Sequence, residues 1–248
     1  MDTINNIKSF VKSHSSEEVI DFYRKIRSQI FGFTHAFDLT KMAIFCGTDK
    51  GLGHFYTAHY QHFFRKFKFK RIKLLEIGVG GYKDPTEGGN SLRMWKMYFP
   101  FAQIFSIDIF EKNKIEEPRI RIYQGSQTDE AFLKDLIDKI GSPTIIVDDG
   151  SHMNEHVIRS FELLFPFLKP GGIYAIEDTG YSHQEIYGGD NQDLTNPGTT
   201  MNYFKSFPDR INRKKYDITS FKKLPFEDEI LSIHFFHELI LVEKKNLE

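Results

Sequence analysis

The sequence predicts an α/β fold built on a doubly wound, mostly parallel β-sheet. Beyond Arg71, short apolar runs alternate with amphipathic helical stretches, and this alternation is typical of a parallel sheet covered by helices on both faces. Further along, two apolar segments are separated only by His237 and Glu238, which predicts an antiparallel hairpin that closes the sheet. We therefore expect one main domain over residues 71–248, with residues 1–70 as a helical extension packed on it.

The individual elements of this domain follow from the same alternation. Five predicted strands lie in the runs IKLLEIGVGG, AQIFSIDIF, RIRIYQG, TIIVDDG and GGIYAIEDT. Predicted helices between them lie in NSLRMWKMYF, DEAFLKDLIDKIG and MNEHVIRSFELLFPFLKPGG. The last helix is predicted to end at Lys169, because Pro170 and two glycines follow. A polar, glycine-containing stretch after Thr179 is too long for a simple connection, so residues 180–203 are predicted to form a lid.

The N-terminal extension contains two predicted helices. Ser15 and Glu18 have the spacing of a capping box, and an amphipathic pattern of apolar residues follows them. Its apolar positions are Val19, Phe22, Tyr23, Ile26 and Ile30. The aromatic and basic stretch 54–71 predicts a second helix leading into the core. The spacing of its histidines His54, His59 and His62 fits no common metal-ligand pattern.

Composition excludes several classes of protein. The 248 residues have a net charge of −1, without the basic surplus of a dedicated nucleic-acid binder, and 40% hydrophobic residues argue against a disordered chain. No apolar run approaches the ~18 residues of a membrane span, and the first residues lack a signal-peptide pattern, so we expect a cytoplasmic protein. Cys46 is the only cysteine, which excludes an intramolecular disulfide and leaves oxygen or imidazole as metal ligands.

The end of the first predicted strand indicates a nucleoside-containing cofactor. Gly78 and Gly80 allow a tight turn with close backbone approach to a ligand, and Asp108, at the end of the second strand, is placed to accept hydrogen bonds from ribose hydroxyls. A dinucleotide fingerprint would need a third glycine where Lys83 stands. Because S-adenosylmethionine carries positive charges and no phosphate, Glu76 beside the turn favours it over NAD.

Acidic residues and a histidine gather where the fourth and fifth strands end. Asp148 and Asp149 follow one strand, Glu177 and Asp178 the other, and neighbouring strands lie only about 4.8 Å apart. A divalent cation would compensate this charge, although Lys or Arg partners from the lid would do so equally well. His152 is placed to take a proton from an alcohol held there; the alternative is a helix-capping or loop histidine.

With these residues in view, the chain resembles the metal-dependent sugar O-methyltransferases typified by macrocin and mycinamicin O-methyltransferases, which have a class I, Rossmann-like fold. The most specific matching stretches are VDDGSH and IEDT. Others are GTDK at residues 47–50, LLEIGVGG, the segment around Ser91 and Trp95, FSIDIF, YQGSQTD and SIHFFHELILVEK.

The resemblance implies roles for individual residues. Asp149, Glu177 and Asp178 would bind Mg²⁺, with His152 as general base beside Asp149. S-adenosylmethionine would be bound by a set predicted to consist of Thr48, Lys50, Glu76, Gly78, Gly80, Ser91, Asp108, Gln127 and Asp148.

The predicted reaction is S-adenosylmethionine-dependent methylation of a sugar hydroxyl in a glycoside, nucleotide sugar or polysaccharide precursor. A catechol-type O-methyltransferase acting on a small aromatic diol is the first alternative, but the lid contains only Tyr181, Tyr187 and Tyr203 among many polar groups, so a sugar fits better. An NAD-dependent sugar oxidoreductase and an inert binding module are further alternatives. Nucleic acid is not expected as a partner, whereas the aromatic-rich N-terminal helices are a candidate interface for a homo-oligomer.

Overall fold

The protein is described from a computed structural model covering residues 17–215 and 222–246. In this part of the chain, seven strands form one sheet in the order β3-β2-β1-β4-β5-β7-β6. The strands are β1 (Lys73–Ile77), β2 (Gln103–Asp108), β3 (Ile120–Gln124), β4 (Ile145–Asp148), β5 (Ile173–Ile176), β6 (Ile230–Phe236) and β7 (Leu239–Lys244).

Strands β1 to β5 are parallel, and β6 and β7 form the antiparallel hairpin that the sequence predicts. The strand order reverses between β1 and β4, where Ile77 is in register with Asp148. In doubly wound sheets the ligand crevice opens outside the carboxyl ends of the strands at such a reversal. The topology therefore brings the ends of β1, β2, β4 and β5 to one edge.

The helices flank this sheet. They are α1 (Glu17–Thr34), α2 (Leu39–Cys46), α3 (Tyr56–Phe64), α4 (Asn90–Tyr98), α5 (Glu130–Ile140), α6 (Asn154–Leu164), α7 (Thr200–Lys205) and α8 (Phe207–Asn212). The prediction that the α6 helix ends at Lys169 is wrong: the α-helix ends at Leu164, and a 3₁₀ turn follows over Phe165–Phe167. The reason is Pro166, which has no N–H to continue the helical hydrogen-bond pattern.

Each face of the sheet has its own apolar core. One core joins the inner residues of α2, α3 and α4, among them Tyr60 and Trp95, to the strands. The opposite core centres on Phe161 of α6, which packs against Phe204 and Phe226. Helices of the N-terminal region thus complete one layer of the fold, while the predicted division at residue 70 stays a prediction.

The α1 helix is present where the sequence predicts it, but part of its apolar pattern faces outward. Phe22, Ile30 and Phe33 are 65%, 59% and 86% exposed. Ser15, the predicted cap of this helix, lies outside the described residues. None of the helices in residues 17–215 or 222–246 combines the length and apolar character needed to cross a membrane.

Candidate active site

The carboxyl edge of the sheet brings Asp149, His152 and Asp178 together. One donor atom from each of the three side chains lies within 4.8 Å of the others, and His152 Nε2 is 3.5 Å from Asp178 Oδ2. His152 and Asp178 both have left-handed backbones, with φ of 58° and 55°. Such backbone strain in non-glycine residues is frequent at functional sites. The two carboxylates offer oxygen ligands that fit a divalent ion, and the imidazole lies beside them.

A buried lysine neutralises the neighbouring acids. Lys50 is 1% exposed, and its Nζ lies 2.6 Å from Asp149 Oδ2, in contact with the Glu177 carboxylate and 3.4 Å from Glu76 Oε1. Burial acts to lower the pKa of Lys50, but the three carboxylates outweigh it and hold that pKa well above its usual value. A basic partner thus compensates part of the acidic cluster, and it comes from the loop after α2 rather than from the predicted lid.

The Glu177 carboxylate is held by two buried side chains. One oxygen of its buried carboxylate accepts a 2.5 Å hydrogen bond from the Tyr60 hydroxyl, and the other accepts from Lys50. Burial raises the pKa of Glu177, while Lys50 acts to lower it. Glu177 lies outside the group of donor atoms formed by Asp149, His152 and Asp178, so its role as a metal ligand stays a prediction.

The turn after β1 has the geometry that its glycines predict. Gly78 has φ of +95°, and a Cβ there would lie 2.2 Å from the Asp149 carbonyl oxygen. Gly80 is also left-handed, but a Cβ there would meet only the Gly88 Cα at 4.0 Å. The close approach at Gly78 packs the turn against the site, whereas Gly80 makes only an ordinary contact with Gly88.

Glu76 is a buried acid next to this turn. Its Oε2 accepts a 2.9 Å hydrogen bond from Trp95 Nε1, and Ser91 also hydrogen-bonds the carboxylate. Its Oε1 lies 3.4 Å from Lys50 Nζ. Burial raises the pKa of Glu76 to about 7, with Lys50 opposing that rise. Glu76 is thus a buried acid held by Trp95, Ser91 and Lys50 beside the glycine turn.

Asp108 lies against the same turn. Its two carboxylate oxygens accept backbone N–H bonds from Val79 at 3.0 Å and Phe110 at 2.9 Å. Carboxylate oxygens have further acceptor capacity, so this anchoring orients Asp108 without exhausting it.

Three other predicted cofactor residues lie at the edges of the site. Gln127 is buried, donates to Asp148 Oδ1 at 3.3 Å and accepts from the Ser151 N–H at 3.0 Å. Asp148 also accepts a 2.5 Å bond from Ser160, and burial raises its pKa to about 6. Asp148 therefore joins β4 to α6. The third residue, Thr48, donates its hydroxyl to the Asp49 side chain at 3.4 Å.

The predicted lid is fastened to the site by one buried amide. Asn154, at the start of α6, donates to the carbonyl oxygens of Ser182 and Tyr187 at 2.9 and 3.1 Å and accepts from the Thr200 N–H at 2.7 Å. The rings of Tyr181 and Tyr187 stack at 4.8 Å, and the Tyr181 ring lies 5.5 Å from the His152 ring. Asn154 thereby places an aromatic pair beside the candidate base.

Comparison with known proteins identifies similar enzymes. Mycinamicin VI 2''-O-methyltransferase of Micromonospora griseorubida is 40% identical over 209 residues, or 84% of this chain and 52% of that protein. The structure of MycE methyltransferase from the mycinamycin biosynthetic pathway, in complex with Mg and SAH, matches with a TM-score of 0.79 at 40% identity, over 84% of this chain and 55% of that one. The chain is similar to sugar O-methyltransferases over most of its own length.

Further relatives support this similarity. Demethylmacrocin O-methyltransferase of Streptomyces fradiae is 38% identical over 192 residues, covering 77% of this chain and 49% of that protein. The chain spans about half the length of the curated relatives it matches, and no protein-family model matches it. The predicted resemblance and the class I methyltransferase fold with extra N-terminal helices are both confirmed.

Sequence reasoning about this chain missed several residues of the site. Tyr56 donates a 2.8 Å hydrogen bond to Asp178 Oδ1, Tyr60 bonds Glu177, and Asn154 fastens the lid. The i, i+4 spacing of Tyr56 and Tyr60 shows that they share a helix face, but no sequence signal indicates which strand ends that face meets. The histidines of the stretch 54–71 have different surroundings. His59 stacks on Phe236 at 3.9 Å, whereas His54 faces Asp178 and Glu238.

Proposed function

We propose that this protein methylates a sugar hydroxyl in a glycoside, nucleotide sugar or polysaccharide precursor, with S-adenosylmethionine as methyl donor and Mg²⁺ as the assisting ion. The observation that carries the proposal is the convergence of Asp149, His152 and Asp178 at the strand reversal, directly beside the glycine turn. A relative's structure with Mg and SAH supports the same pair of ligands.

The cofactor end of the crevice fits a cationic nucleoside. Asp108 is oriented to accept from ribose hydroxyls, and Glu76 supplies a carboxyl group beside the turn that favours a positively charged ligand. Together these residues favour a donor without phosphate over NAD.

Asp149 and Asp178 are the residues that would hold the Mg²⁺ ion, with Glu177 as the further predicted ligand. When bound, the ion supplies a Lewis acid that lowers the pKa of a coordinated hydroxyl and fixes its direction. Lys50 contacts both Asp149 and Glu177 and orients their carboxylates.

His152 is the proposed general base. The acceptor hydroxyl attacks the methyl carbon in line with the departing sulfur, an O–C bond forms as the C–S bond breaks, and the hydroxyl proton passes to His152. Asp178, whose Oδ2 is 3.5 Å from Nε2, stabilises the imidazolium that results. The products are the methyl ether and S-adenosylhomocysteine, so atoms and charge balance.

The stacked tyrosines of the lid keep a catechol-type reaction as a second candidate. Tyr181 and Tyr187 present aromatic surface beside His152, and an aromatic diol or the apolar face of a sugar ring would pack on it. Similarity to sugar O-methyltransferases supports the sugar as the first candidate.

A thermal-shift panel tests the proposal, with S-adenosylhomocysteine and NAD⁺ each measured with Mg²⁺ and with EDTA. A ligand at 100 times its Kd adds about 2.7 kcal/mol of stability, which raises the Tm measurably. We expect S-adenosylhomocysteine, and not NAD⁺, to raise the Tm. Transfer of labelled methyl groups to glycosides and to catechols then identifies the acceptor class. Stabilisation by NAD⁺ instead would overturn the proposal.

A further inference from the structure

A second cluster of metal-binding side chains lies next to the first. His54 Nδ1 is 3.4 Å from Glu238 Oε2 and 3.6 Å from Asp178 Oδ1, and one donor atom from each of the three residues lies within 4.8 Å of the others. All three side chains are half-buried. The cluster shares only Asp178 with the group formed by Asp149 and His152.

Three separate parts of the fold supply this cluster. His54 precedes α3, Asp178 follows β5, and Glu238 is in the turn of the β6–β7 hairpin. Glu238 has a left-handed backbone with φ of 55°, and its carbonyl oxygen accepts a 3.2 Å bond from the Thr179 N–H. A Cβ at Gly180 would lie 2.5 Å from Glu238 Oε1, so the glycine leaves the space that this carboxylate fills.

Two other side chains also lie close to the His54 ring. It stacks on the Tyr56 ring at 5.0 Å, and its second nitrogen, Nε2, lies 3.8 Å from Asp49 Oδ2. Metal-bound histidines commonly direct their other ring nitrogen toward a carboxylate, which fixes the tautomer and the ring orientation. Asp49 lies on that side of the ring, at a separation longer than a hydrogen bond.

The separations between donor atoms fit a bound ion. Ligands about 2.1 Å from a tetrahedral metal lie about 3.4 Å from one another, close to the observed 3.4 and 3.6 Å. An imidazole among carboxylates suits Mn²⁺ or Zn²⁺ better than Mg²⁺ or Ca²⁺. The two oxygens of Asp178 face different histidines, Oδ1 toward His54 and Oδ2 toward His152, so this carboxylate is placed to bridge two sites.

We propose that His54, Asp178 and Glu238 form a second divalent-cation site, selective for a transition metal and joined through Asp178 to the site beside His152. The site itself depends only on these three residues, and the bridge to a Mg²⁺ ion rests on the proposed function. Its occupant would tie the β6–β7 hairpin to the catalytic edge and fix the orientation of Asp178.

Counting bound ions tests this inference. The metal-depleted full chain is titrated with Mn²⁺ by calorimetry and by the EPR signal of free Mn²⁺, alongside His54→Asn and Glu238→Gln. We expect two Mn²⁺ ions per wild-type chain and one in each variant, or an increase of at least tenfold in the Kd of one ion. The control is His59→Asn, whose ring stacks on Phe236 and contributes to neither group of donor atoms, so this variant should bind as the wild type does. Unfolding curves of each variant establish that it is folded.

The outcomes separate this site from the proposed function, because S-adenosylhomocysteine binding is measured independently by thermal shift. If the wild type binds one ion and both variants bind none, the second site stands and the Mg²⁺ part of the proposed function fails. If the variants bind as many ions as the wild type with the same Kd, or if no chain binds Mn²⁺, the second site is overturned and His54 only forms ion pairs with the two acids.

Discussion

At the scale of single residues, one ammonium group determines much of the charge balance of this site. Lys50 lies among Glu76, Asp149 and Glu177 with almost no exposure to solvent. Removing one partner of a buried ion pair leaves uncompensated charge in a medium of low dielectric constant. The acids of the site are therefore tolerated in the folded chain because of a residue more than twenty positions before β1.

Substituting this lysine should be costly. We expect Lys50→Met to lower the free energy of unfolding by about 3–5 kcal/mol at neutral pH, measured by urea denaturation. Burial already raises the pKa values of Glu76 and Glu177. Without the lysine, these two carboxyl groups would bind protons more tightly in the folded chain than in the unfolded chain. Protonation would then stabilise the folded variant, so its loss of stability should become smaller as the pH falls from 8 toward 5. Each unit of pKa difference contributes on the order of 1.4 kcal/mol.

A surface lysine provides the control for this experiment. Lys41 pairs with Asp38 at 3.1 Å while its side chain is 57% exposed, and exposed pairs contribute only about 0–1 kcal/mol. Lys41→Met should therefore change stability little at any pH. Equal losses in the two variants would contradict the role assigned to Lys50.

Two residues of the site should separate catalysis from cofactor binding. His152→Ala is expected to lower kcat by about 10²- to 10⁴-fold, as for removal of a general base, without changing the Kd of S-adenosylhomocysteine. Asp108→Ala should instead weaken that binding. Turnover and calorimetric titration measure the two effects, and His62→Ala serves as the histidine control. Loss of cofactor binding in His152→Ala would show that the base is misassigned.

At the scale of elements, the lid depends on how α6 begins. Asn154 hydrogen-bonds backbone groups at both ends of the lid, and it is 1% exposed. Backbone groups that lose a buried partner incur a cost of about 1–3 kcal/mol each. A single amide at the first turn of a helix thus couples the lid to the strand end that carries His152.

Asn154→Ala should loosen this lid. We expect cleavage within residues 184–198 by a non-specific protease to accelerate about tenfold, which corresponds to about 1.4 kcal/mol of opening free energy. KM for the acceptor should rise more than the Kd of S-adenosylhomocysteine. The matched control is Asn113→Ala, whose amide bonds only Glu111 on the surface. Unchanged proteolysis with intact secondary structure would contradict the fastening role of Asn154.

At the scale of the whole molecule, α1 presents an apolar stripe to the outside. Phe22, Ile26, Ile30 and Phe33 follow one another at intervals of four, four and three residues, the spacing of one helix face, and each is exposed. Contiguous exposed apolar surface commonly marks a protein interface. This geometry agrees with the prediction from sequence that the N-terminal helices mediate self-association.

The oligomeric state of the full chain checks that prediction. Light scattering should give the mass of a dimer or larger assembly, and Phe33→Glu should shift it toward the monomer because a charge would be buried in the interface. Phe101→Glu, at an exposed apolar position outside α1, is the control. A monomeric wild type at micromolar concentration would contradict self-association through α1.

Sequence patterns were sufficient for the sheet and for the location of the site. The alternation of apolar runs predicted β1 to β5 and the closing hairpin, because burial on both faces of a parallel sheet imposes continuous apolar segments. Asp149 and Asp178 could be predicted to lie close together, because the carboxyl ends of parallel strands meet at one edge of the sheet. The end of α6 was misplaced because Pro166 was read as part of the helix.

The chain by itself thus determined the fold class, the resemblance to sugar O-methyltransferases and the acidic and histidine residues at the strand ends, because these depend on local periodicity and on short motifs. Only the tertiary structure decided which partners those residues have. Lys50, Asn154 and Glu238 come from distant parts of the chain, and nothing in their neighbours indicates where they point. Their contacts arise when the loop after α2, the start of α6 and the hairpin turn pack around one strand reversal, which is a property of the assembled layers and not of any single segment.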